Sequence, residues 1–534
     1  MEVYDAVIVG AGHNGLVAGA LLAKRGLRVL AIERREILGG CCVTEEIAPG
    51  CRASTTSYIA SMLRPEVIRE LELVRHGLVM TPCSPALQIA VGPGAVLAQW
   101  EEMARTVEEL RRFSPRDARQ FERLDGELRQ IAARLQPLFL ELPPETRGGR
   151  LSGALSALAV ARPFLGVSGH EIEGLTRVLT GSLGELADAR FETSIAKQLL
   201  LANNLYGKHG GPYQPGSLLG LVFHLLSGGE QEVQGFFGHV MGGMGAISEA
   251  IASAGRSHGL AVRTGTGVAA IMVRENRARG VVLDGGEEIL ARIVLSGADP
   301  KHTFLSLVDE KCLPEEFLAD IRGIKMAGPC AKVNFVLDAE PAVIGMPADA
   351  DPARRALFTL VPELGIADAC YDRAKRGGLP DADELFVDCV VASNVDPSLA
   401  PQGRHIMTCF VQYVPYRLAA GSWEDHRELL GDRVLERITV FAPKLAESVV
   451  ARQVLTPLDL ERIYGLTEGN IFHGDLAIDQ LFHMRPVPGW ARYATPIKNL
   501  YLCGAGTHPG GGVTGAPGYN AARRVLADLR RRRR

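Results

Sequence analysis

Apolar and polar positions change period several times along the chain. Residues 3–9, VYDAVIV, run apolar and β-branched up to Gly10, the pattern of a buried strand. GLVAGALLAKRG then repeats apolar positions at helical spacing and stops at Gly26, and LRVLAIE follows as a second strand. Together they predict a β-α-β unit of about 30 residues. From Glu66 to Leu225 the spacing is mostly helical, with breaks such as LPPETRGG. GGMGAISEAIASAGRSHG reads as a glycine turn and a helix, and the next forty residues as strands joined by charged or glycine-rich turns. Residues 306–484 mix strands (CAKVNFVLD, ELFVDCVVAS, HIMTCFVQYVP) with helices. NLYLCGAG predicts a last strand and APGYNAARRVLADL a last helix. No internal repeat and no low-complexity linker interrupts this order.

Composition narrows the class. At 534 residues the chain exceeds one small core, and a net charge of −3 argues against nucleic acid as the main partner. The longest apolar stretches, such as Gly216–Ser227, fall short of the about 18 residues that span a bilayer. The first strand pattern begins at Tyr4, so no leader is read, and the default location is cytoplasmic. The Arg530–Arg534 run suits a helix C-terminus and leaves peripheral membrane contact open. The ten cysteines form no CxxC and no Cys/His block, so no metal site is read. Cys41, Cys42 and Cys51 are spaced wrongly for a flavin-linked redox pair and read as reduced thiols.

Gly10-Ala11-Gly12-His13-Asn14-Gly15 is a GxGxxG turn in its required context, after a strand and opening a helix. Gly10 allows the tight turn, Gly12 admits a pyrophosphate to the backbone, and Gly15 brings helix and sheet together. The helix N-terminus offers free N–H groups to phosphate. His13 and Asn14 are the polar pair at the helix start. Glu33 ends the second strand, where a carboxylate accepts from the adenosine ribose hydroxyls and repels a 2′-phosphate. A further glycine pair, Gly39-Gly40, suits a chain running beside a longer ligand, which favours FAD over NAD. No second GxGxxG follows a strand, so a dedicated nicotinamide domain is not expected.

The segment Gly504–Leu526, GAGTHPGGGVTGAPGYNAARRVL, is a second glycine-rich turn leading into a helix. With GAGHNGLVAGALLAKRG…ERREILGG, GGMGAISEAI and VLSGADP, it resembles the phytoene desaturase-like branch of the flavin amine oxidase superfamily. VTEEIAPGCRASTTSYIASMLRPEVIRELEL and GNIFHGDLAIDQLFHMRPVPG are similar to the pyridine nucleotide-disulfide oxidoreductase domain-containing protein 2 group within it. The resemblance spans the whole chain. It implies an α/β fold in which a Rossmann-like FAD-binding domain carries an inserted α+β substrate domain, a two-lobed flavoprotein. The FAD lobe would comprise residues 1–65, 236–305 and 485–534, and the substrate lobe residues 66–235 (largely helical) and 306–484. The resemblance further implies that Arg34 and Gly40 line the FAD and that the Val268 backbone meets the adenine. It sets Gly504 and Gly506 by the ribityl chain, and Val513, Thr514 and Gly515 at the flavin pyrimidine edge.

The expected activity is FAD-dependent dehydrogenation, isomerisation or oxygenation of a hydrophobic small molecule, with oxygen or a quinone as acceptor. A carotenoid desaturase or ketolase, and a FAD-bound partner-binding protein with little turnover, are the alternatives; an amine oxidase would want an aromatic pair at the flavin. His508, His473 and Arg485 are the candidate catalytic groups, with Tyr206 and His209 weaker. The apolar stretches at 156–165 and 218–226 are candidate tunnel walls.

Overall fold

The strand β1 (Val3–Val9) is buried from Ala6 onward because both its faces are covered, which is why its sequence is a continuous apolar run. The computed structural model describes residues 3–147, 150–226 and 237–533. β1 pairs in parallel with β2 (Val29–Ile32) on one side and with Glu288–Ser296 on the other. Glu288–Ser296 pairs in turn with Leu500–Leu502, also in parallel. Strands from the start, middle and end of the chain are thus hydrogen-bonded within one seven-stranded sheet. The hairpin Val268–Arg274/Arg277–Leu283 extends that sheet. It reverses at Glu275 and Asn276, both with positive φ, as a two-residue hairpin turn requires.

The helix α1 (His13–Lys24) packs against the sheet and against Gly245–Ser257 and Ala516–Arg533. Two glycines make that contact feasible. A Cβ on Gly15 would strike the Gly10 carbonyl oxygen, and a Cβ on Gly518 would strike the Asn14 carbonyl oxygen. The N-terminal phosphate turn and the C-terminal helix therefore touch backbone to backbone.

A second seven-stranded sheet runs in the order Val449–Leu455, Cys330–Leu337, His405–Gln412, Val387–Val391, Leu357–Leu360, Leu87–Gly92, Ala95–Gln99. Its last two strands come from the stretch that spacing reads as helical. They are six and five residues long and turn at Gly92-Pro93-Gly94. Runs that short carry too few repeats to separate period 2 from 3.6, and the turn residues decide. Helices Pro115–Leu135, Leu183–Arg190, Ser194–Ala202 and Leu219–Leu225 contribute to a shared core with one face of this sheet.

Within the 156–165 stretch Leu158 and Leu165 are exposed, 62% and 66%, and so form no tunnel wall. In the 218–226 stretch Phe223 does reach the main cavity. The boundary drawn at 235/236 and the terminal Arg534 lie outside the described residues. Among the described residues no helix is long and apolar enough to cross a membrane.

Candidate functional site

The site begins where β1 and β2 end. The Gly10 N–H donates to the Ile32 carbonyl at 2.8 Å, and the Gly39 N–H to the Ala11 carbonyl at 2.8 Å. Glu33 follows β2 and is buried. Its Oε2 accepts from the Ala11 N–H at 3.0 Å and its Oε1 from the Arg35 N–H at 3.1 Å. One carboxylate thereby fixes the phosphate turn and keeps further lone pairs for a ligand.

From this turn a cavity of about 560 Å³ runs to the second sheet, within the range of small-molecule and cofactor sites. Gly10, Gly12, His13, Asn14, Gly15, Glu33, Arg34, Gly39, Gly40, Val268 and Val513, the cofactor-binding candidates of the sequence, line it. Gly504, Gly506, Thr514 and Gly515 do not; Gly511, Gly512 and Ala505 stand at the wall instead. Thr514 is fully buried and its Oγ1 accepts from the Ala516 N–H at the start of the last helix. Gly504 is packed against the Gly297 backbone at the sheet and Gly506 against Pro300.

Arg34, expected to hold the cofactor, spends its guanidinium on the carbonyls of Arg462 and Ile463. Its neighbour Arg35 pairs with Glu45 and lies 4.6 Å over the Tyr464 ring, leaving Nη1 buried without a partner. Sequence reasoning missed Arg35 because adjacent arginines in a loop carry no periodicity.

Of the three catalytic candidates, only His473 lines the cavity. It sits at φ 57° and burial lowers its pKa. His508 is turned away. Its Nε2 contacts the Leu138 carbonyl at 2.7 Å, Phe482 packs edge-on against its ring, and burial holds its pKa down at about 4. Arg485 is almost wholly buried and donates to the carbonyls of Phe472, Gly474, Asp475, Gln480 and Ala505. It clamps the chain behind the site rather than facing a reactant. Tyr206 is at the cavity wall and His209 is not.

The far wall is aromatic. Tyr58 stacks on Phe410 with centroids 6.1 Å apart, and Tyr206 meets Phe410 at 5.9 Å. The Tyr58 hydroxyl donates to Asp388 Oδ2 at 2.6 Å, and Thr359 donates to Oδ1 at 2.6 Å. Lys332, paired across the sheet with Phe410, also lines the cavity. Nothing in CAKVNFVLD marks Lys332 as functional, since a strand's pattern does not say which face meets a cavity.

Among the described residues, five buried polar atoms of the cavity wall lack a hydrogen-bond partner: His13 Nε2, Asn14 Oδ1, Arg35 Nη1, His473 Nδ1 and Lys332 Nζ. Buried polar groups in native proteins are paired, so their convergence on one cavity marks the seat of a polar ligand. With a glycine turn for a pyrophosphate and Glu33 for ribose hydroxyls, the residues fit FAD.

Residues 8–69 match the family model of an NAD(P)-binding Rossmann-like domain. Over 548 residues, covering 99% of this chain and 94% of the relative, the sequence is 38% identical to pyridine nucleotide-disulfide oxidoreductase domain-containing protein 2 of Rattus norvegicus. The chain belongs to the pyridine nucleotide-disulfide oxidoreductase domain-containing protein 2 family. One of the limonene dehydrogenase polypeptides of Castellaniella defragrans is 28% identical over 98% of the chain and 95% of its own length. Cyclohexylamine oxidase of Brevibacterium oxydans shares the fold, with a TM-score of 0.57 at 16% identity and full coverage of both chains. The fold is a two-lobed α/β fold, and the lining of its cavity fits FAD. The family's name notwithstanding, all ten cysteines are free thiols, and burial pushes Cys41 and Cys42 up to about 12. That is the inert form of a thiol.

Proposed function

We propose that this FAD-type oxidoreductase dehydrogenates a hydrophobic small molecule. One observation carries the reading: the dinucleotide turn and the aromatic wall of Tyr58, Tyr206 and Phe410 belong to a single cavity. A substrate held on that wall lies in the same space as the cofactor. FAD, when bound, supplies the two-electron acceptor for a hydride equivalent. Gly10, Gly12 and Gly15 would hold its diphosphate, Glu33 its ribose, and the unpaired Arg35 Nη1 a phosphate or ribose oxygen.

The aromatic side chains bind and orient an apolar substrate and exclude water from it. His13 is poised as a neutral donor, since burial lowers its pKa to about 4. The limonene dehydrogenase relative, named for a dehydrogenase of an apolar molecule, supports the same class here. Oxygen or a quinone is the proposed terminal acceptor, and contact with a membrane surface is compatible with a quinone.

The test is anaerobic mixing of FAD-loaded protein with a panel of hydrophobic alcohols, terpenes and carboxylic acids, and with small polar amines. Bleaching of the flavin band by a hydrophobic compound is expected. Bleaching by polar amines alone would replace this reading with an amine oxidase.

A further inference from the structure

The helix Leu219–Leu225 carries the apolar stretch that the sequence marks as a candidate tunnel wall. Leu221 and Leu225 stand four residues apart and share one of its faces, while Phe223 between them reaches the main cavity. The leucine face lines a second compartment of about 70 Å³, walled also by the buried Leu87, Leu124 and Leu200. The exposed Glu101 and the Asp125–Arg129 ion pair, 2.6 Å, mark its outer end. Among the described residues one side chain lines both spaces, that of Phe237. Its backbone is fixed. The Phe237 carbonyl accepts from the Cys83 N–H at 2.8 Å, and Gly238 exchanges two hydrogen bonds with Ala60, at 2.7 and 2.9 Å. The partition between the two spaces is therefore a ring on an immobile main chain, and a change of rotamer is enough to join them.

We infer that the second compartment receives the tail of an unbranched aliphatic substrate, and that Phe237 decides how long a chain the site accepts. This rests on the reading of the site as one for a hydrophobic substrate and names its chemical class. An empty space lined by leucine stays dry and forfeits the contacts its walls would make. Hydrocarbon is what fills it, and the main cavity is where such a chain comes from. At about 70 Å³ the compartment takes one straight chain and no ring system or methyl-branched chain.

Chain length is the variable that reads the compartment. Each methylene taken out of water tightens binding about fourfold. A chain that ends before Phe237 does not sense what lies behind the ring. A longer chain gains the same increment again once the ring has turned aside. Ala86 gives a way to plug the space, because it is half-buried, lines the second compartment and has no place on the wall of the main cavity. Ala86→Leu fills the compartment and leaves the dinucleotide turn and the aromatic wall untouched. Phe237→Ala removes the partition instead.

The experiment titrates the FAD-loaded full chain with straight-chain primary alcohols from hexanol to tetradecanol, and with the methyl-branched farnesol. It follows the flavin spectrum at equilibrium and by stopped flow. In the native chain affinity should keep rising up to tetradecanol. Ala86→Leu should bind hexanol and farnesol as the native chain does and tetradecanol about tenfold more weakly or worse, the worth of some two methylenes. Phe237→Ala should speed the association of tetradecanol relative to hexanol. Ala86→Leu that binds tetradecanol as tightly as the native chain, or that loses farnesol to the same degree, overturns the assignment. Phe237→Ala that keeps the native ratio of the two association rates also overturns it, and this result decides alone should Ala86→Leu fail to fold or to hold FAD. In each of these cases alcohols still bind, and the broader reading stands. FAD-loaded protein that binds none of the alcohols instead overturns the reading beneath.

Discussion

Replacing Gly518 by alanine tests whether the two ends of the chain are joined through backbone contact. In an isolated helix Gly→Ala stabilises by about 1 kcal/mol, through lower backbone entropy in the unfolded state. Here the new Cβ lands on the Asn14 carbonyl oxygen and within 3.2 Å of the Ala18 amide nitrogen. Both obstacles are backbone of α1, which is held from its other side by the sheet, so no rotamer change relieves the clash. Overpacking of this kind costs about 1–3 kcal/mol, and a contact this close belongs at the upper end. The net is a destabilisation of about 2 kcal/mol. Gly126, in the middle of Pro115–Leu135, is the control: nothing lies within 4 Å of its would-be Cβ. Gly126→Ala should stabilise by up to about 1 kcal/mol. Urea unfolding of both variants followed by circular dichroism gives the two signs. FAD titration should show weaker binding in Gly518→Ala alone, because a displaced α1 moves Asn14 and Gly15. If Gly518→Ala stabilises the chain as much as Gly126→Ala does, the backbone contact does not hold the two ends together.

Glu33→Gln removes one of two accepting oxygens and the charge; FAD affinity measured by calorimetry should fall roughly 10–100-fold, the worth of one charge-assisted hydrogen bond. Arg485→Met should cost about 3–5 kcal/mol in thermal unfolding, since it strands several buried carbonyls. Acid sensitivity follows from His13, His239 and His508, each held at about 4 by burial against an ordinary 6.5. Between these values the unfolded chain binds more protons, so stability is fully present above about pH 6.5 and is lost as pH falls toward about 4. A urea midpoint unchanged from about pH 7 to about pH 5 would contradict this.

The β-α-β unit was legible because each of its parts has a separate sequence signal. Gly10, Gly12 and Gly15 mark the turn, apolar spacing marks α1, and Glu33 stands at the end of β2. The pairing of Glu288–Ser296 with Leu500–Leu502 was not legible, since parallel partners more than two hundred residues apart share no local code; the resemblance implied only that their segments share one lobe. Side-chain direction was illegible. His508 and Arg485 stand in glycine- and proline-rich text near the cofactor turn, yet both point into the scaffold, where each meets backbone carbonyls. Lys332 escaped notice for the opposite reason. It sits in an ordinary apolar strand, and only the packing of Tyr58 and Phe410 against it shows that its face of the sheet is a cavity wall. The hairpin Leu87–Gly92/Ala95–Gln99 was hidden by its brevity within helical surroundings.

Three distant segments are expected to close around one molecule of FAD. Denaturing the purified protein and quantifying the flavin released per chain tests it most directly. One FAD per native chain is expected, and none for Gly12→Asp, whose carboxylate would lie against the diphosphate. A native chain that stays colourless after incubation with excess FAD, or a Gly12→Asp variant as yellow as the native chain, would contradict it.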